Sequence, residues 1–211
     1  MNKILLFIII ANVLMSLKGF SDRSFFEKFK FNVGGIKNGE HFRHVTSGFL
    51  HVDYMHLFFN MYALYLFTPI VIESFGVLFF GLIYVICLIA SSYFSFFYHK
   101  NDNYYSAVGA SGAVVGIVYA AILLYPEMTL IMFPLPIPLP GYVFGIGYLI
   151  YSIYGMKKQL GNIGHSAHLG GAIAGYLLTL AIVPSIILEH TFLVVGLAIP
   201  IVILFLMPQN K

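Results

Sequence analysis

Tryptophan is absent from the 211 residues, and charge is scarce, with only 9% of positions Asp, Glu, Lys or Arg. Soluble domains carry roughly 25% charged residues. With 60% of its residues hydrophobic, the chain cannot hide its apolar surface in one core, so the lipid bilayer is its solvent. The missing tryptophan leaves interfacial anchoring to the 15 tyrosines. Tyr54, Tyr98, Tyr125, Tyr142 and Tyr154 fall near the ends of apolar runs, where such anchors sit. The single cysteine, Cys87, excludes an internal disulfide and a multi-cysteine metal site. Eleven basic residues against eight acidic ones give a net charge of +3. No basic run offers a surface to nucleic acid.

The apolar runs predict an all-α, polytopic transmembrane bundle in one domain, 1–211. The first run is Ile4–Leu17, after Lys3. No small-x-small cleavage signal follows it, so it reads as a retained span rather than a removed leader. Residues 18–53 form a polar connector in which "FFEKFKF" alternates aromatics with charges, a pattern suited to the interface. Further spans are predicted at Tyr54–Ile72, Val77–Phe97, Ala107–Tyr125, Gly141–Tyr154 and His168–Leu188. "FPLPIPLPG" (133–141) cannot continue a helix, because each proline removes a donor and clashes with the preceding turn. Phe192–Met207 is a seventh apolar run.

Three stretches carry polar chemistry inside this apolar chain. In "GASGAVVGIVY" (109–119), Ser111 lies between Gly109 and Gly112, just past a polar loop. Gly112, Gly116 and Ala120 recur every four residues, a small-residue stripe that lets a second helix approach backbone to backbone. Read alone, such a serine is packing material. "GHSAHLGGAIAG" (164–175) supplies a counterpart, with His168, Gly171 and Gly175 at i, i+3 and i+7 on one helix face. Two such helices could bring Ser111 to His168, and a serine hydroxyl becomes a nucleophile only when a neighbouring base takes its proton. In "HVDYMHLFFNMY" (51–62), His56 and Asn60 share a face, and both carry N–H donors able to face a developing negative oxygen. His51, five residues before His56, braces the entry to that span. The bland reading of this pair is polar glue between helices.

Together, His51-x4-His56-x3-Asn60, Gly109-x-Ser111-Gly112 and Ala167-His168-x2-Gly171-x3-Gly175 resemble the rhomboid intramembrane serine proteases. Order and spacing match over roughly 41–180. Phe42-Arg43 stands where that family usually has Trp-Arg in a membrane-dipping first loop, and Glu73 with Phe75-Gly76 matches the close of its second span. The resemblance implies a six-helix core, about 41–188, with 189–211 as an extra C-terminal helix. It makes Ser111 the nucleophile and His168 the general base and acid. His56, Asn60 and the Ser111 N–H become the oxyanion donors. His51, Gly109, Gly112, Gly171, Gly175 and Arg43 become supporting residues, and Lys157–Gly164 a mobile cap. It implies transmembrane protein substrates and no cofactor. At Val115 the chain departs from many relatives, which carry a tyrosine there under the histidine ring.

Other readings fare worse. His51, His56, His165 and His168 could offer nitrogens to a metal, but there is no HExxH, and no metal is expected. Asp22, Asp53 and Asp102 lie in loops or at span ends, which argues against an aspartyl protease. A transporter with 133–141 as a broken helix lacks paired charges within its spans. The main alternative is a catalytically inactive rhomboid-like protein that binds transmembrane helices. The resemblance suggests a bacterial plasma membrane with the site opening to the extracytoplasmic side, although the positive-inside rule would turn the lysine-rich first loop the other way. Nothing in the sequence speaks to oligomeric state.

Overall fold

The computed structural model describes residues 2–132, 137–161 and 163–206. Helix α1, Lys3–Ser21, is capped by the Asn2 side chain, which accepts from the Ile4 N–H at 2.8 Å. Its buried residues, Leu5, Ile8, Asn12, Ser16 and Gly19, follow the helical period and form one face. Apolar residues such as Phe7 and Leu14 point outward, as they would toward lipid.

The polar connector is folded rather than merely interfacial. It contains α2 (Arg23–Phe29), α3 (Val33–Lys37), α4 (Arg43–Thr46) and a 3₁₀ turn at Ser47–Phe49. Strand β1, Phe31–Asn32, pairs antiparallel with β2, Ser106–Ala107, which ties this connector to the loop preceding Ser111. Phe31, Val33 and Ile36 form a small buried cluster against Phe96 and Tyr105. His44 hydrogen-bonds Ser92 at 2.8 Å and stacks on Tyr93 at 4.3 Å. Burial, helped by the nearby His41, holds the His44 ring below the usual imidazole range.

Arg43 organises this segment. Its Nη1 donates to the Glu27 and Lys30 carbonyls at 2.9 and 2.8 Å, and its Nε meets Glu40 at 2.6 Å. Removing a buried charged donor leaves its acceptors unpaired. Arg43→Ala is expected to lower stability by roughly 2–3 kcal/mol. Limited proteolysis should then show new cuts between residues 22 and 42; an unchanged digestion pattern and melting midpoint would refute this.

Helix α5, Tyr54–Tyr98, contains two of the predicted spans, separated at Gly76. There φ is 80° and ψ 168°, a conformation open essentially to glycine alone. Asp53 caps its start, accepting from the His56 N–H at 2.7 Å. Helix α6, Ser111–Leu124, is buried on nearly every side and so forms the centre of the bundle. Helices α7 (Gly141–Lys158), α8 (His165–Ile182), the short α9 (Ile186–Glu189) and α10 (Thr191–Leu206) follow. Among the described residues, two helices, α1 and α5, are long and apolar enough to cross a membrane.

Several boundaries differ from the sequence expectation. The fold is mostly helical, as expected, with two short ladders added to the helices, β1–β2 and a second. In the second, β3 (Thr129–Met132) pairs antiparallel with β4 (Ile137–Pro140) inside the expected proline connector. Residues 133–136 of that connector, and Met207 of the last run, lie outside the described residues. Helix α6 begins at Ser111 rather than Ala107, since Ser106–Ala107 is in β2 and Gly109 has φ 132°. Helix α8 stops at Ile182 because Pro184 disfavours a helical Val183. Helix α7 runs on to Lys158, its Lys157 and Lys158 suiting the negative end of the helix dipole.

Candidate functional site

Helix α6 has 14 residues, and at about 1.5 Å per residue it is roughly 21 Å long. That is short of the roughly 30 Å hydrocarbon thickness. Ser111 is its first residue. Its Oγ lies 2.7 Å from Nε2 of His168, near the start of α8.

Glycines bring these helices together. A Cβ placed on Gly171 of α8 would collide with the Gly112 carbonyl of α6, and one on Gly175 with the Gly116 carbonyl. On α6, a Cβ at Gly112 or Gly116 would meet Ser91 or Cys87 of α5. The stripes therefore receive three helices rather than the two the sequence suggested. Gly109 has φ 132°, and a Cβ there would stand 2.8 Å from the His56 ring.

His51 is fully buried and bridges α1 to the turn before Ser111. The Ala110 N–H donates to its Nε2 at 3.4 Å. That leaves Nδ1 to donate to Ser16 at 2.9 Å, and Ser16 donates onward to the Phe49 carbonyl at 3.1 Å. His56 packs edge-on against His51, with centroids 4.8 Å apart. Its Nδ1 has no hydrogen-bond partner among the described residues. Asn60 lies on the same helix face, but its Nδ2 donates back to the His56 carbonyl at 2.9 Å. One of its two amide protons is thus occupied within α5.

A cavity of about 1080 Å³ contains Ser111 and His168 in its wall, with His56, Asn60 and Tyr148. Arg23, whose side chain is 82% exposed, also lines it, so the cavity opens to water. Among the described residues, no group of three or more His, Cys, Asp or Glu side chains could hold a metal ion.

Sequence reasoning missed Tyr148, midway along α7. Its hydroxyl lies 2.7 Å from His168 Nδ1, with ring centroids 5.9 Å apart and planes at 31°. The available signal was a tyrosine in the middle of an apolar run, away from either interface. A second polar cluster also escaped it. His99 stacks on Tyr105 at 3.4 Å, and both, with Ser95, hydrogen-bond Ser166 on α8. The expected cap is partly described: Gln159 and Gly161 have positive φ, and Leu160 accepts from His165 Nε2 at 3.2 Å. Asn162 lies outside the described residues.

The rhomboid domain profile matches residues 38–185. The chain belongs to the rhomboid family. It is 29% identical over 186 residues to RHOMBOID-like protein 12, mitochondrial, of Arabidopsis thaliana, covering 80% of this chain and 55% of that one. It is 30% identical over 136 residues to Rhomboid protein 1, mitochondrial, of Saccharomyces cerevisiae, covering 63% and 39%. It is 29% identical over 137 residues to the human Presenilin-associated rhomboid-like protein, mitochondrial, covering 62% and 35%. The chain thus spans about half or less of these rhomboids' lengths. Their names correct one expectation: all three relatives are named as mitochondrial, and the bacterial plasma-membrane placement is withdrawn.

Proposed function

We propose that this rhomboid is an intramembrane serine endopeptidase acting on transmembrane segments of other proteins. We read it as one unit, six spans forming the core and α10 a seventh. The observation that carries the reading is the 2.7 Å contact between Ser111 Oγ and His168 Nε2 beside a water-open cavity.

The chemistry follows from that contact. His168 Nε2 takes the Ser111 proton as Oγ attacks the scissile carbonyl carbon. The tetrahedral intermediate carries its negative charge on the former carbonyl oxygen. Backbone N–H groups in the first turn of a helix have no intrahelical partner, so the Ser111 N–H is available to that oxygen. His56 and Asn60 are the side-chain donors; the Cε1–Nε2 edge of the His56 ring, beside Gly109 and Ser111, and the second Asn60 amide proton are what they have to offer. His168 then returns the proton to the leaving amine, and a cavity water, activated by the same ring, releases the acyl group.

The competing reading is a non-catalytic helix binder, for which a hydrogen-bonded serine and histidine have no use. Cleavage of a transmembrane reporter by the purified protein in liposomes separates the two. Ser111→Ala is expected to abolish cleavage, and Ser111 of the unaltered protein to react with a fluorophosphonate. Continued cleavage by Ser111→Ala would overturn the reading.

A further inference from the structure

The dyad accounts for one nitrogen of His168. The other, Nδ1, faces the Tyr148 hydroxyl at 2.7 Å. A neutral imidazole carries a single N–H. To accept a proton from Ser111 at Nε2, the ring must hold its own hydrogen on Nδ1. The Tyr148 oxygen is therefore the acceptor of that N–H, and it opposes the wrong tautomer as well as rotation of the ring. A phenol is uncharged at neutral pH and does not neutralise an imidazolium as a carboxylate would; what it supplies is orientation.

The position of Tyr148 is itself determined by the helix that carries the serine. Tyr119, two turns after Ser111 on α6, donates its hydroxyl proton to the Gly145 carbonyl of α7. Gly145 precedes Tyr148 by three residues, on the same face of α7. A Cβ on Gly145 would stand 3.4 Å from Ile122 of α6 and 3.3 Å from Leu197 of α10, so α7 is seated closely on both. A closed circuit results. Ser111 bonds His168, His168 bonds Tyr148, α7 leads from Tyr148 to Gly145, and Tyr119 returns the circuit to α6.

We propose that Tyr148 is a positioning residue for the dyad, making α7 part of the catalytic apparatus rather than only a wall of the cavity. The proposal rests on the protease reading above.

Tyr148→Phe keeps the ring and its packing and removes only the acceptor. One hydrogen bond that orients a base corresponds to roughly a tenfold rate effect. In liposomes, kcat for the reporter should fall roughly tenfold with KM within about twofold. Fluorophosphonate reacts with Ser111 without docking a peptide, and its rate per labelled site should fall by the same factor. The melting midpoint should stay near that of the unaltered protein. A purely structural role would lower the midpoint and leave the per-site rates alone. Unchanged per-site phosphonylation and kcat in Tyr148→Phe overturn this proposal while leaving the protease reading standing. No labelling of Ser111 in the unaltered protein overturns both.

Discussion

His168→Ala is expected to lower reporter cleavage by about 10³-fold or more while leaving the protein folded. The size of the effect follows from what the ring does. Unassisted, a serine hydroxyl is a poor nucleophile, and an amine leaves poorly without a proton. In the proposed mechanism His168 serves both steps through one nitrogen, 2.7 Å from Ser111 Oγ. Among the described residues, no acidic side chain lines the cavity beside the dyad in a position to replace it; the lining carboxylates, Glu27 and Asp53, are already bonded to Lys30 and to the start of α5. Because dyad members act as a unit, His168→Ala combined with Ser111→Ala should be hardly worse than either alone. Activity in liposomes, with melting midpoints in parallel, tests this. A His168→Ala enzyme retaining a tenth of normal cleavage would remove the imidazole from the mechanism.

Much of this arrangement could be read from spacing, because the physics behind it is local. Glycines every four residues on two helices demand close backbone approach, and residues three or four apart must share a face. Gly112, Gly116, Gly171 and Gly175 therefore announced the pairing that brings Ser111 to His168. The resemblance likewise put Gly76 at the close of a span. What remained hidden depends on which helices cross where. Tyr148 carries no motif, and its hydroxyl matters only because α7 crosses α8 beside His168. The start of α6 at Ser111 depends on β1, contributed by a segment far earlier in the chain. The proline-rich connector forms β4 against β3, a pairing that the exclusion of helix alone did not specify. Asn60 was expected to offer its amide to the site, yet part of that amide returns to its own helix, a choice of rotamer that sequence does not encode.

Gly171→Ala is expected to cut reporter cleavage sharply through geometry alone, without touching a reacting atom. The added methyl would occupy the space of the Gly112 carbonyl, which is backbone and cannot swing aside as a side chain would. Helices α6 and α8 would have to separate, and Ser111 and His168 ride on those two helices, close to the point of separation. Overpacking a well-filled interior costs about 1–3 kcal/mol, and for a chain of this size each kcal/mol moves the melting midpoint by about 2–4 °C. A misplacement of about 1 Å in a catalytic group costs about 100-fold in rate. The rate should therefore fall by about 100-fold while the midpoint falls by only several degrees. Gly147→Ala is the control. A Cβ there meets nothing within 4 Å, so the same chemical change should leave rate and midpoint essentially intact. If Gly171→Ala behaves like Gly147→Ala, backbone contact between α6 and α8 does not set the Ser111–His168 distance. If only Gly171→Ala fails, the helix spacing sets the reactivity of the serine.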